Sequence, residues 1–215
     1  MNMSIRHALA AVAALGAAVA IGGCSSSTTH GGSGHDQMPA MPGMSGSGSA
    51  SPDAAASHNT ADITFVTHMI PHHQQAVVMA DLALSQAASP QLKTMATEIK
   101  AAQNPEIQTM AGWLQSWGHP VPTGMAGMAG HSSMAGMEGM MTEQEMQQLQ
   151  AAAGADFDRL WLRMMTTHHE GAVAMSTTEL QQGKDPAAEA LAQQIITAQN
   201  KEIAAMAQLL STITG

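Results

Sequence analysis

Apolar and polar positions fall into a helical rhythm along two separated stretches of the chain. In the first, Phe65, Met69, His72, Ala76, Met79 and Ala83 recur three and four residues apart, the period of one face of an α-helix. Ser89-Pro90 supplies an N-cap and a first-turn proline for a second helix, predicted over Gln91 to Trp117. The later stretch repeats this layout. Asp185-Pro186 opens a helix predicted over Ala187 to Ile213, and Gly183 stands where the preceding helix should be capped. Each stretch therefore reads as a helical hairpin.

The two hairpins are copies of one unit. A shift of 96 residues aligns Phe65 with Trp161, Met69 with Met165, His72-His73 with His168-His169, and Met79 with Met175. The same shift carries Pro90 onto Pro186, Ala102-Gln103-Asn104 onto Ala198-Gln199-Asn200, Glu106-Ile107 onto Glu202-Ile203, and Met110 onto Met206. Two hairpins with complementary apolar faces predict an all-α fold, an antiparallel four-helix bundle of two duplicated helical hairpins. The expected boundaries are a first hairpin over 59–118, a Met-rich linker over 119–142 and a second hairpin over 143–215. Composition agrees: two Phe and three Trp leave a core of Ala, Leu, Ile, Val and Met, which suits close-packed helices better than a sheet.

Polar residues on the buried stripes narrow the chemistry. In an antiparallel hairpin, residues equidistant from the turn lie at one height. That places His72 level with Glu106 and Met69 near Met110, and His168 level with Glu202. Each unit then carries a Met, a His, a Glu and a second Met in one layer: Met69, His72, Glu106 and Met110, against Met165, His168, Glu202 and Met206. A pseudo-twofold axis would bring the two layers together. Thioether sulfur suits Cu(I), and imidazole suits Cu(I), Cu(II) and zinc. Glu106 and Glu202 are expected to orient the imidazoles from behind. His73 and His169 lie about 100 degrees further round their helices and are expected as flanking ligands or surface groups. Core packing and a Glu-capped structural histidine are the competing account, and packing alone suffices for Met79, Met95, Met175 and Met206. Pro71 and Pro105 fall inside their helices at the same level, where each removes a backbone hydrogen bond.

Outside the hairpins methionine keeps a different spacing. Met125, Met128, His131, Met134, Met137 and Met140 stand at every third position among Gly, Ala, Ser and Glu, and His35, Met38, Met41 and Met44 do the same nearer the start. Glycine disfavours a helix there, and a surface loop has no packing reason to carry so many thioethers. Such tracts can wrap a soft ion without preformed geometry; low-complexity drift is the alternative.

The first residues read as an address. Arg6 and His7 precede an apolar run from Ala8 to Ala20, which ends in Ile21-Gly22-Gly23-Cys24. A run of that length fits a signal-peptide core and is too short to span a bilayer. The chain's single cysteine stands where a lipoprotein signal needs it. The expectation is a signal peptide over 1–23, lipidation of Cys24 and a disordered tether over 24–58 rich in Gly, Ser and Pro. This implies secretion, with anchoring to the outer face of the cell membrane or in the periplasmic envelope. The net charge of −9 and the scatter of Lys and Arg exclude a basic nucleic-acid footprint.

The segments His68-Met69-Ile70-Pro71-His72-His73-Gln74-Gln75-Ala76 and Met164-Met165-Thr166-Thr167-His168-His169-Glu170-Gly171-Ala172, with the Ala-Gln-x-x-Glu-Ile-x-x-Met segments, resemble the bacterial "domain of unknown function 305" family over about residues 59 to 214. The resemblance implies a ferritin-like helical bundle and copper binding or copper tolerance in the envelope. It implicates Met69, His72, His73, Met165, His168 and His169. Thr166-Thr167 replaces the Ile-Pro of the first unit, so the two sites differ.

These features point to a non-enzymatic copper protein, with Cu(I) ahead of Cu(II), that buffers, sequesters or transfers the ion. Its partners would be the metal, the membrane through its lipid, and a copper-donor or acceptor protein; a homodimer is compatible. Two other functions stay open. One is a ferritin-like redox enzyme, although the His-His helices lack the Glu-x-x-His of a di-iron site and no nucleophile elbow or phosphate loop is present. The other is a structural or partner-binding envelope lipoprotein. Metal stoichiometry and turnover would separate the three.

Overall fold

The computed structural model describes residues 57–123 and 137–214. Cys24 and the signal peptide, the tether residues His35, Met38, Met41 and Met44, and the linker residues Met125, Met128, His131 and Met134 lie outside the described residues.

All regular elements among the described residues are helices: α1 (Thr60–Gln86), α2 (Pro90–Ser116), α3 (Glu143–Ala151), α4 (Gly154–Gln182) and α5 (Pro186–Thr214). Local chemistry sets their ends. The Asn59 side chain accepts from the backbone N–H groups of Ala61 and Asp62, while Asp62 accepts from the Asn59 N–H, closing a capping box. Ser89 accepts from Leu92, and Asp185 accepts from Ala187 and Ala188, so both proline-led caps form as expected. Gly183 is the C-cap of α4, in extended rather than left-handed backbone. Helices α1 and α2 run unbroken through Pro71 and Pro105. None of the described helices is long and apolar enough to cross a membrane.

The hairpin boundaries need one correction. The segment expected to open the second hairpin at 143 instead forms the short helix α3, started by a Thr142–Glu145 capping box. It buries Met146 and Leu149 against the bundle, and the hairpin proper begins at Gly154, whose φ is +60°. Nine residues carry too few apolar positions for their period to stand out from the linker.

Helix α1 packs on α2, α4 packs on α5, and the two hairpins meet chiefly through α1 and α4. A reciprocal pair of aspartates fixes that meeting. Asp62, at the start of α1, accepts from the backbone N–H groups of Lys184 and Asp185 in the α4–α5 turn, at 3.0 and 2.9 Å. Asp158, at the start of α4, accepts from those of Ala88 and Ser89 in the α1–α2 turn, at 3.0 and 2.8 Å. The two aspartates are related by the same shift of 96, as are the turns they bind. Each unit thus caps its partner's turn, which makes α1 and α4 antiparallel and establishes the pseudo-twofold axis. Both carboxylates are buried, and each accepts from two main-chain N–H groups of the other unit's turn. Beside Asp62 lies Glu179, also buried. Burial first, then its hydrogen bond to Asp62 and the charges around it, push the Glu179 carboxyl up to about 8.

The apolar core divides into two clusters, one toward each end of the bundle. One gathers Met79, Leu92, Ile99, Leu149, Phe157, Trp161, Met165 and Met206, and the other Phe65, Val66, Met69, Ile70, Met110, Leu114, Leu191 and Ile195. On all four long helices the residues between the two clusters form a buried polar belt.

Candidate functional site

The belt is a row of imidazoles. His72 and His168 stack at the pseudo-axis with ring centroids 3.7 Å apart and planes tilted by 36°. His73 lies 6.4 Å from His72, and His169 lies 6.4 Å from His168. At one end His73 Nε2 bonds Glu106 Oε2 at 2.7 Å; at the other, His169 Nε2 bonds Glu202 Oε2 at 2.8 Å. All four histidine side chains are fully buried, whereas the two glutamates are partly exposed. The order across the bundle is Glu106, His73, His72, His168, His169, Glu202.

Two expectations are corrected here. His73 and His169 are not surface groups. Helix α1 touches α2 on one side and α4 on another, so two successive residues about 100 degrees apart can both be interior: His73 faces α2 and His72 faces α4. Glu106 and Glu202 accordingly bond His73 and His169 rather than His72 and His168. The heights read from the sequence hold, as does the buried face of Met69, His72, Met165 and His168; what differs is that His73 and His169 are buried too and take the glutamates.

The electrostatics follow from burial. Desolvation, then the neighbouring His73 and His169, lower the His72 imidazole to about 3, although the main chain of Glu138 favours its charged form. His168 is likewise held well below its ordinary value, by burial first and then by His72 and the flanking histidines. Both rings are therefore neutral at physiological pH. Main-chain groups of Glu138 and of His72 approach His72 and His168, but not in hydrogen-bond geometry: Nδ1 and Nε2 of His72 and of His168, and Nδ1 of His73 and of His169, are buried without a well-formed hydrogen bond. Buried polar atoms are normally satisfied, and an unpaired one costs about 1–3 kcal/mol. Six such nitrogens in one layer are unusual for a purely structural core.

The thioethers flank the row. Met69 and Met110 are buried together on one side and Met165 and Met206 on the other, so the two methionine pairs do not share a cluster. The units also differ: the Thr166 hydroxyl, at the position of Ile70, reaches Met206 Sδ at 3.9 Å. Among the described residues no three His, Asp or Glu side chains converge on one metal position. A metal held here would draw on imidazole and thioether together. Met79 is core, and His58 stacks on Trp117 with ring centroids 4.5 Å apart. Residues missed in the sequence are Gln103 and Gln199, buried in the belt at equivalent positions, and Asp62 and Asp158. The shift of 96 marks all four, since buried polar identities between the copies are where a shared structural demand shows.

Fold and site together define a duplicated antiparallel bundle with a buried imidazole row at its pseudo-axis. The chain belongs to the DUF305 family, described as "Domain of unknown function (DUF305)", whose model matches residues 62–210. It is similar to the DUF305 protein of Streptomyces coelicolor, with 30% identity and a TM-score of 0.64 over 72% of this chain and 93% of that one. A DUF305 fragment from Deinococcus radiodurans is 31% identical, with a TM-score of 0.64 over 72% of this chain and 97% of the fragment. CopM in its Cu(I)-bound form is 32% identical, with a TM-score of 0.59 over 72% of this chain and 98% of CopM. CopM has also been solved in Cu(II)-bound and Ag-bound forms. No curated protein matches the chain.

Proposed function

We propose that this chain is a copper-binding protein of the cell envelope, held at the membrane by lipid on Cys24, which buffers copper or hands it on without turnover. The six partnerless imidazole nitrogens carry the reading: a buried layer of neutral donors, flanked by two thioether pairs, is short of what a soft cation supplies. Metal binding requires deprotonated imidazole, and burial already holds His72 and His168 in that form. The CopM structures with Cu(I), Cu(II) and silver support copper as the ion, and the thioethers favour Cu(I). His72 and His168, with Met69, Met110, Met165 and Met206, are the proposed ligands within the bundle. His73 and His169 act as flanking ligands oriented by Glu106 and Glu202. The methionine tracts at 38–44 and 125–140 would capture the ion. The absence of cysteine thiolate from the mature chain suits exchange and transfer to a protein partner rather than irreversible storage.

The test is an anaerobic Cu(I) competition titration of residues 25 to 215 against a colorimetric chelator, beside a variant with Met69, His72, Met165 and His168 changed to Ala. Binding that weakens in a variant still helical by circular dichroism supports the bundle site. Undiminished binding moves the function to the tracts, and no binding at all leaves a structural lipoprotein.

A further inference from the structure

The duplication breaks its own symmetry where the linker meets the bundle. The shift of 96 places Gly171 opposite Gln75, each three residues beyond a central histidine and so on that histidine's side of its helix. Both residues hold the same piece of chain. Gln75 is fully buried; its Nε2 donates to the Met141 carbonyl at 2.8 Å, and the Met141 N–H donates to its Oε1 at 2.7 Å. Gly171 provides space: a Cβ there would lie 2.1 Å from the Glu138 carbonyl oxygen and 2.8 Å from the Gly139 Cα. Gly139 answers in kind. Its φ is +78°, and a Cβ on it would lie 2.6 Å from the Thr167 carbonyl oxygen and 3.0 Å from that of His168. One copy carries a side-chain clamp and the other carries no side chain, and both features seat residues 138–141 against α1 and α4 at the level of His72 and His168.

The seated segment is the end of the methionine tract. Met137 and Met140 are half-buried. Met141 departs from the every-third spacing, and it is buried in the same cluster as Met165 and Met206. The two hydrogen bonds between Gln75 and the Met141 main chain fix where that side chain enters the cluster.

Resting on the copper reading above, we propose that Met141 is a further thioether ligand and the junction between tract and bundle. Gln75, Gly139 and Gly171 are the positioning residues that dock it. A soft monovalent cation caught by the tract passes through Met137 and Met140 to Met141, and from there to the Met165, Met206 and His168 layer, without leaving the chain. Docking turns the last step into an intramolecular one at an effective concentration of about millimolar, far above that of free ion.

The test is stopped-flow mixing of the mature chain with Ag(I), a redox-inert probe, in a background carrying Trp113→Phe and Trp117→Phe. Trp161 then reports alone; its indole N–H bonds the Met79 carbonyl within the cluster that holds Met141 and Met165. Met141→Leu conserves volume, and Gln75→Leu removes both clamping hydrogen bonds. Each is expected to keep the amplitude of quenching and to slow its rate by about tenfold or more. Met137→Leu with Met140→Leu should slow it equally, although the docked backbone, followed by amide exchange at Met141, stays protected. Loading at the wild-type rate in Met141→Leu and Gln75→Leu overturns the junction while the copper reading stands. So does slowing in Gln75→Leu alone, which would make the segment a mere cover. Saturable Ag(I) uptake absent from the wild-type chain removes both readings together.

Discussion

At the scale of single residues, the imidazole row costs the apo core stability. A core histidine normally spends both nitrogens on hydrogen bonds, and His72 and His168 spend neither. Replacing both by Leu should therefore stabilise the apo protein at pH 7 by about 1–3 kcal/mol, since two unpaired polar rings leave the core. The pH dependence has a definite sign. The folded His72 sits at about 3 and an unfolded histidine at about 6.5, so in that window the unfolded chain binds more protons. Wild-type stability then falls as pH drops below about 6.5 and the loss levels off near pH 3, with His168 acting in the same direction. The double Leu variant should be flatter across this range. Urea unfolding of apo protein at pH 7 and pH 5 decides it: a variant less stable than wild type and equally acid-sensitive would show that the row is structural.

At the scale of elements, the reciprocal aspartates do more than local caps. Asp158 satisfies two N–H groups in a turn 69 and 70 residues away, so removing it strips two half-buried donors of their protein partner and loosens one hairpin from the other. Asp158→Ala should cost about 1–3 kcal/mol, and Asp158→Asn less because its oxygen still accepts. Chemical denaturation measures both, and a loss within about 0.5 kcal/mol, the range of ordinary surface changes, would mean that packing between α1 and α4 fixes the register unaided. Element ends were largely readable in advance. Ser89-Pro90 and Asp185-Pro186 act through contacts within three residues, so their sequence is their structure. Helix α3 was not readable, because its reason to exist is the patch of core that Met146 and Leu149 cover.

At the scale of the whole molecule, two hairpins that share one polar belt should respond to metal as a unit. Cu(I) at about 100 times its dissociation constant should stabilise the fold by about 2.7 kcal/mol and raise its melting temperature, an effect lost when His72 and His168 are both replaced. Anaerobic thermal unfolding with and without Cu(I) checks this; an equal rise in the variant would place the ion elsewhere. The duplication explains the symmetry of the row, since one set of polar residues used twice around an axis yields it.

The chain by itself determined the repeat, the four long helices, their caps and the height at which Met69, His72, Glu106 and Met110 meet, because period, capping and antiparallel register are properties of residues near one another. Only the tertiary structure decided which faces turn inward, and therefore that His73 and His169 are buried and paired with the glutamates. A helix touched by two neighbours hides a wider arc than a single amphipathic stripe predicts. Long-range partners belong to the same class: the stacking of His72 on His168, the exchange of Asp62 and Asp158 between turns, and the seat that Gln75 and Gly171 make for Met141. Each joins residues at least thirty positions apart, and no local pattern in the chain carries the angle at which two helices meet.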